Sequence, residues 1–168
     1  MQARKTLISV EEYLNTSFPN SDCEYVDGVI VERNLGEKDH SSLQGKFIVC
    51  FALENRFRTF AYPEQRVQVR QTRFRVSDVC VYLEEPNEQI FTTPPFLVIE
   101  ILSKDDRASD LQEKIDDYLE FGVPYVWTID PRRRLGSIHT ADGSHEPKDR
   151  ILRTHNPDIN ASLADLFA

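Results

Sequence analysis

Apolar residues recur along this chain with two different periods, and the switches between them mark out its elements. Ser9 and Glu12 have the spacing of a capping box, so a short helix opens there and ends before Pro19. The segment CEYVDGVIVER reads as two alternating runs joined by Asp27-Gly28, the signature of a tight hairpin. Over residues 41–58, Leu43, Phe47, Ile48, Phe51 and Phe57 return at helical spacing and predict the first long helix. Strand-like stretches follow at 62–70, 73–83 and 95–102. The last of these, PFLVIEIL, is apolar on both faces, as a central strand covered on both sides requires. Ser109 and Gln112 predict a second capping box, opening a helix that runs to Phe121 and is closed by Gly122 and Pro124. Residues 125–130 predict a further strand, 135–153 a hairpin turning at Asp142-Gly143, and the tail NASLADLFA a short docking helix.

This order predicts a mixed α/β fold, a central mixed sheet flanked by helices. No repeat, low-complexity segment or Gly/Ser linker interrupts it, so residues 1–168 read as one domain, long enough for a real core. No apolar stretch is long enough for a signal peptide or a transmembrane helix, which sets a cytoplasmic expectation without membrane partners. Cys23, Cys50 and Cys80 lie far apart, and reduced buried thiols are the simplest reading.

Charge complicates the search for a partner. The net charge is −8, awkward for a protein that grips nucleic acid by bulk attraction. Yet between Gln65 and Ser77 stand Arg66, Arg70, Arg73 and Arg75 with no acid, and Arg132 to Arg134 make a second basic knot. Such a run can face DNA, or it can merely keep an exposed strand soluble.

Glu100 is the most informative residue. It interrupts an apolar strand, with Phe96, Val98 and Leu102 on its own face. A carboxylate there costs several kcal/mol, on the order of the penalty for a buried ion, unless a cation or hydrogen bonds compensate. Asp78 repeats the pattern one strand earlier, sharing a face with Phe74, Val76, Cys80 and Tyr82. Two inward carboxylates on adjacent strands repel unless a cation bridges them, and Mg²⁺ suits such a site. Lys114 is the third member. It falls about 60° from Leu111 and about 40° from Tyr118 on the apolar face of its helix, within reach of both acids. Blander readings stand beside these: Glu100 in a structural ion pair with an arginine, Asp78 at a solvent-facing bend, Lys114 snorkelling outward. Other chemistry lacks its motif. Gly45-Lys46 has no upstream P-loop glycine, and no HExxH, zinc-spaced cysteine pair or GxSxG is present. His40, preceding the long helix, could face the site, although a solvent position at the helix N-terminus is the expected one.

The strings EYVDG, SDVCVYL, PPFLVIEILSKDDR and DLQEKIDDYLEFGVPYVWTIDP, with the closing SLADLF, resemble the Uma-two family of the PD-(D/E)XK nuclease superfamily. That resemblance implies a restriction-endonuclease-like sheet and DNA hydrolysis with Mg²⁺ or Mn²⁺. By position, Asp78 matches the aspartate of the "PD" element, with Ser77 in place of proline. Glu100 matches the acid of (D/E)XK, and the Ile101 carbonyl would be a further metal ligand. The lysine position of that element is Leu102 here, and Lys114, with Tyr118 one turn later, appears as its substitute. Glu24 matches a recurring glutamate that would complete the metal shell, or else sits on the surface beside the hairpin. The resemblance makes DNA the expected partner, and a homodimer of single-site protomers would address two strands. The rival reading is a nuclease-like interaction module that has lost catalysis, favoured by Leu102 and the acidic charge.

Overall fold

The computed structural model describes residues 7–18, 23–34, 36–53 and 58–168. The elements run α1 (Val10–Asn15), β1 (Cys23–Val26), β2 (Val29–Glu32), α2 (Lys38–Leu53), β3 (Phe60–Arg70), β4 (Arg73–Tyr82) and β5 (Leu97–Ile101). They continue with α3 (Ala108–Phe121), β6 (Tyr125–Asp130), β7 (Leu135–Thr140), β8 (Gly143–His145), β9 (Ile151–Arg153), β10 (Asn160–Ser162) and α4 (Leu163–Leu166). One mixed sheet has the order β2-β1-β4-β5-β6-β7-β8, with β3 also paired to β4; β9 and β10 form a small second sheet. Among the described strands only β5 and β6 pair in parallel, because α3 carries the chain back between them.

Helices cover both faces of the sheet, and residue parity decides which core a strand residue joins. Val79, Val81, Leu97, Ile99, Trp127 and Ile129 pack with Leu43, Phe47 and Phe51 of α2. Cys80, Val98 and Val126 pack with Ile115 and Tyr118 of α3. All of β5 is buried, as its two apolar faces demand. Asp78 and Glu100 have the parity of the α3 face, so each replaces an apolar residue beneath that helix.

Local signals explain most boundaries. The Ser9 hydroxyl accepts from the Glu12 N–H and caps α1. Asp27 and Gly28 have φ of 49° and 92°, the paired positive angles that a two-residue hairpin needs. Gly122, at φ 106°, ends α3. No helix among the described residues is long and apolar enough to cross a membrane. The three cysteines form no disulfide, and burial pushes the Cys80 thiol up to about 12, which leaves it inert.

Three expectations need correction. The long helix starts at Lys38, ahead of residue 41, and Arg58 at its expected end has a left-handed φ of 50°; Phe57 lies outside the described residues. α3 begins at Ala108 with Arg107 at the N-cap and no capping side chain. Ser109 is already inside the helix and bonds Asp110, while Gln112 bonds Asp116, so that box does not form. The hairpin closes only over β7 and β8, since β9 leaves the main sheet to pair with β10. Burial drives that departure. Leu152 and Leu163 fill the α2-side core against Gly136, where an added Cβ would lie 3.1 Å from Leu163 and 3.3 Å from Leu152.

Candidate active site

The site lies at a fork in the sheet. β3 pairs along the whole length of β4, whereas β1 pairs only with Arg73 and Phe74 and β5 only with Val79 to Val81. β1 and β5 therefore share one edge of β4 and leave a gap between them. Side chains take over the missing ladder. The Val76 N–H donates to Glu24 at 3.0 Å, its carbonyl accepts from Lys114 at 2.8 Å, and Asp78 accepts from the Ile101 N–H at 2.6 Å. Backbone groups left open by the fork are thus satisfied by the candidate catalytic residues themselves.

Glu24, Asp78 and Glu100 are all buried, and the structure brings them together with Lys114. The Lys114 ammonium uses all three donors, on the Val76 carbonyl, on Glu100 Oε2 at 2.8 Å and on Glu24 Oε1 at 2.9 Å. Burial would lower its pKa, but Glu100 and Glu24 more than offset that, so it stays charged. Glu100 Oε1 accepts from the Tyr118 hydroxyl at 3.0 Å. Burial pushes the Glu100 carboxyl up to about 7 against the pull of Lys114, with the Asp78 charge adding to the rise. Asp78 and Glu24 go the other way. Burial acts against both, yet His40, Arg33 and Lys114 hold Asp78 below the usual range, and Lys114 with Arg75 does the same for Glu24.

Two partners escaped the sequence reading, Arg33 and Asp117, and a third, His40, was expected in solvent ahead of the site. Arg33, just past β2, forms an ion pair with Asp78 Oδ1. His40 is buried rather than solvent-facing, with Nε2 3.3 Å from Asp78 Oδ2. Its signal was available, because His40 is in phase with Leu43 and Phe47 on the buried side of α2. Asp117, one turn along α3 from Lys114, is 1% exposed and binds Arg75 Nε at 2.8 Å. Arg33 gave no such signal; it follows an exposed strand end.

The arginine run does not form a basic strip. Arg75 is buried between Glu24 and Asp117, and Arg73 pairs with Asp27, Glu113 and Asp117. Arg70 contacts Glu120, and Arg66 lies over the Tyr13 ring. Acids on α3 and in the hairpin turn consume most of the charge.

A cleft of about 650 Å³ opens over the fork, with Asp78, Glu100, Lys114 and Arg33 in its walls and Asp105, Arg107 and Asp110 among its rim residues. Its donor chemistry suits a hard cation, since Asp78 and Glu100 both line it with carboxylate oxygen. Among the described residues no three His, Cys, Asp or Glu side chains gather to hold a metal. Two carboxylates completed by backbone, water and substrate oxygen are nevertheless the usual set for Mg²⁺.

A family model described as "Putative restriction endonuclease", Uma2, matches residues 10–166. The chain belongs to the Uma2 family. The crystal structure of an Anabaena variabilis protein, described as a "putative nuclease belonging to DUF820", superimposes with a TM-score of 0.79. That pair is 22% identical over 95% of this chain and 97% of the other, and so shares the fold. No curated protein matches the chain. In this Uma2 protein Leu102, at the expected lysine position, lines the cleft, and its N–H bonds the Ile129 carbonyl at 2.8 Å. The ammonium beside Glu100 comes from α3 instead.

Proposed function

We propose that this Uma2 protein is a metal-dependent endonuclease that hydrolyses phosphodiester bonds of DNA. One observation carries the reading: two buried carboxylates from neighbouring strands meet at the fork, and a half-buried lysine stands 2.8 Å from one of them. Mg²⁺ or Mn²⁺, held by Asp78, Glu100 and the Ile101 carbonyl, would supply Lewis acidity and a more acidic water. The chain's own residues do the rest. Tyr118 and Lys114 fix the two Glu100 oxygens, and Glu24 anchors Lys114 to the Val76 backbone. The ammonium faces the cleft, where it balances charge growing on a phosphate. Family membership makes nucleic acid the substrate, and a homodimer would present two such clefts to the two strands of a duplex. Incubating supercoiled plasmid with Mg²⁺, with Mn²⁺ and with a chelator tests this. Metal-dependent nicking absent from Glu100→Gln supports it, and intact plasmid under all conditions opposes it.

One observation favours the rival, a catalytically silent interaction module. Every carboxylate oxygen of Asp78 and Glu100 already accepts a hydrogen bond from the protein. DNA binding without nicking would select that reading.

A further inference from the structure

A cation approaching Asp78 Oδ1 from the cleft meets the Arg33 guanidinium, which already holds that oxygen. Around the fork three carboxylates, Glu24, Asp78 and Glu100, face three protein cations, Arg33, Arg75 and Lys114. A divalent ion at Asp78 would sit beside the Arg33 guanidinium, and that like-charge contact in a poorly screened cleft is relieved when Arg33 leaves.

The candidates to leave are not equivalent. Lys114 sits mid-helix with all three donors used, and Arg75 is bound on both sides by buried acids. Arg33 differs. It lies past the last residue of β2, outside regular structure, so its movement breaks no ladder. Among the described residues Asp78 is the one acid with which it forms an ion pair, and Asp78 keeps the Ile101 N–H and His40 on Oδ2 when Arg33 goes. The arginine thus stands on Oδ1, the one Asp78 oxygen with no other donor.

We infer that Arg33 is an exchangeable counter-cation: it holds Asp78 while no divalent ion is bound and passes to the substrate phosphate when one arrives. The inference rests on the metal-dependent reading above and assigns a residue to phosphate recognition. The guanidinium suits both posts, because its planar fork matches carboxylate and phosphate alike. Arg33 already lines the cleft, so a side-chain swing suffices. His40 and the Ile101 N–H, which stay on Oδ2, keep the Asp78 carboxylate aimed during the exchange.

The exchange predicts opposite effects on two measurements. In Arg33→Gln, Mn²⁺ titrated without DNA should bind about tenfold tighter, because a competitor worth roughly one decade of affinity is gone. Plasmid cleavage at saturating Mn²⁺ should fall about a hundredfold, the scale for losing one phosphate-stabilising group. Arg33→Lys, which keeps the charge without the fork, should leave Mn²⁺ affinity near wild type while lowering cleavage, and it serves if Arg33→Gln does not fold. Unchanged or weaker Mn²⁺ binding in folded Arg33→Gln overturns the exchange alone. Mn²⁺ binding by neither wild type nor variant overturns the metal reading and the exchange with it.

Discussion

Lys114 and Glu100 stand 2.8 Å apart although 14 residues separate them in the sequence. The ammonium also binds Glu24 from the far side of the fork, so one side chain ties β1, β4 and β5 together. This changes what its removal should do. A lysine facing inward without a partner would make Lys114→Met neutral or stabilising. With two buried carboxylate partners the sign reverses. Lys114→Met should lower stability near neutral pH by on the order of 3 kcal/mol, the cost of leaving one side of a buried pair uncompensated. The loss should shrink in acid, where Glu100 takes up a proton. Cleavage should drop by about two to three orders of magnitude. Chemical denaturation at two pH values, with plasmid nicking, checks both.

The Glu100 carboxyl gives the protein a distinctive pH response. Its folded pKa, about 7, lies above the ordinary value of 4.5. The stability it contributes is therefore complete below 4.5 and is lost as pH rises through 7. Asp78 and Glu24, with lowered values, act oppositely and contribute stability that disappears in acid. Between about pH 5.5 and 8 the wild-type melting temperature should decline relative to Glu100→Gln. Parallel profiles would remove Glu100 as the titrating group.

Proton release offers a second view of the same carboxyl. If Mn²⁺ binds through Glu100, its affinity should rise with pH up to about 7 and level off above, with up to one proton released per ion near neutrality. Calorimetry in buffers of different ionisation enthalpy measures that number directly. Zero proton uptake or release at pH 6 would separate the metal from Glu100.

Metal should also protect the fold. Saturating Mg²⁺ or Mn²⁺ is expected to raise the melting temperature by mass action, and Asp78→Asn with Glu100→Gln should abolish the shift. A shift that survives the double substitution places the ion elsewhere.

The arginines yield the last expectation. Arg75→Met should destabilise by about 3–5 kcal/mol, because Glu24 and Asp117 lose a buried partner. Arg70→Gln, at an exposed pair, should change stability little. Neither that change nor Arg66→Gln should flatten the salt dependence of DNA binding, since both side chains are engaged within the protein. A clearly flatter slope in the double variant would restore the run as a DNA surface.

Strands and helices were legible wherever burial imposed a period, which is why β5 and the apolar face of α3 read cleanly. Asp78, Glu100 and Lys114 stood out for the same reason, as polar residues where the period demands apolar ones. The partners were harder. Arg33 reaches Asp78 across 45 residues of sequence, and no periodicity encodes that distance. The arginine run misled because a strand's charges look solvent-bound until a helix carrying Glu113, Asp117 and Glu120 packs over them. β9 was assigned to the wrong sheet because hairpin signals specify turns, not which core receives the next strand.

The gap between β1 and β5 also bears on how the molecule comes into being. Glu24 leaves the ribosome well before Lys114, and the gap exists only once β1, β4, β5 and α3 are all in place. A half-made chain cannot assemble a miniature version of the cleft, since no local segment contains it. The cleft is therefore complete only once the polypeptide has passed residue 114.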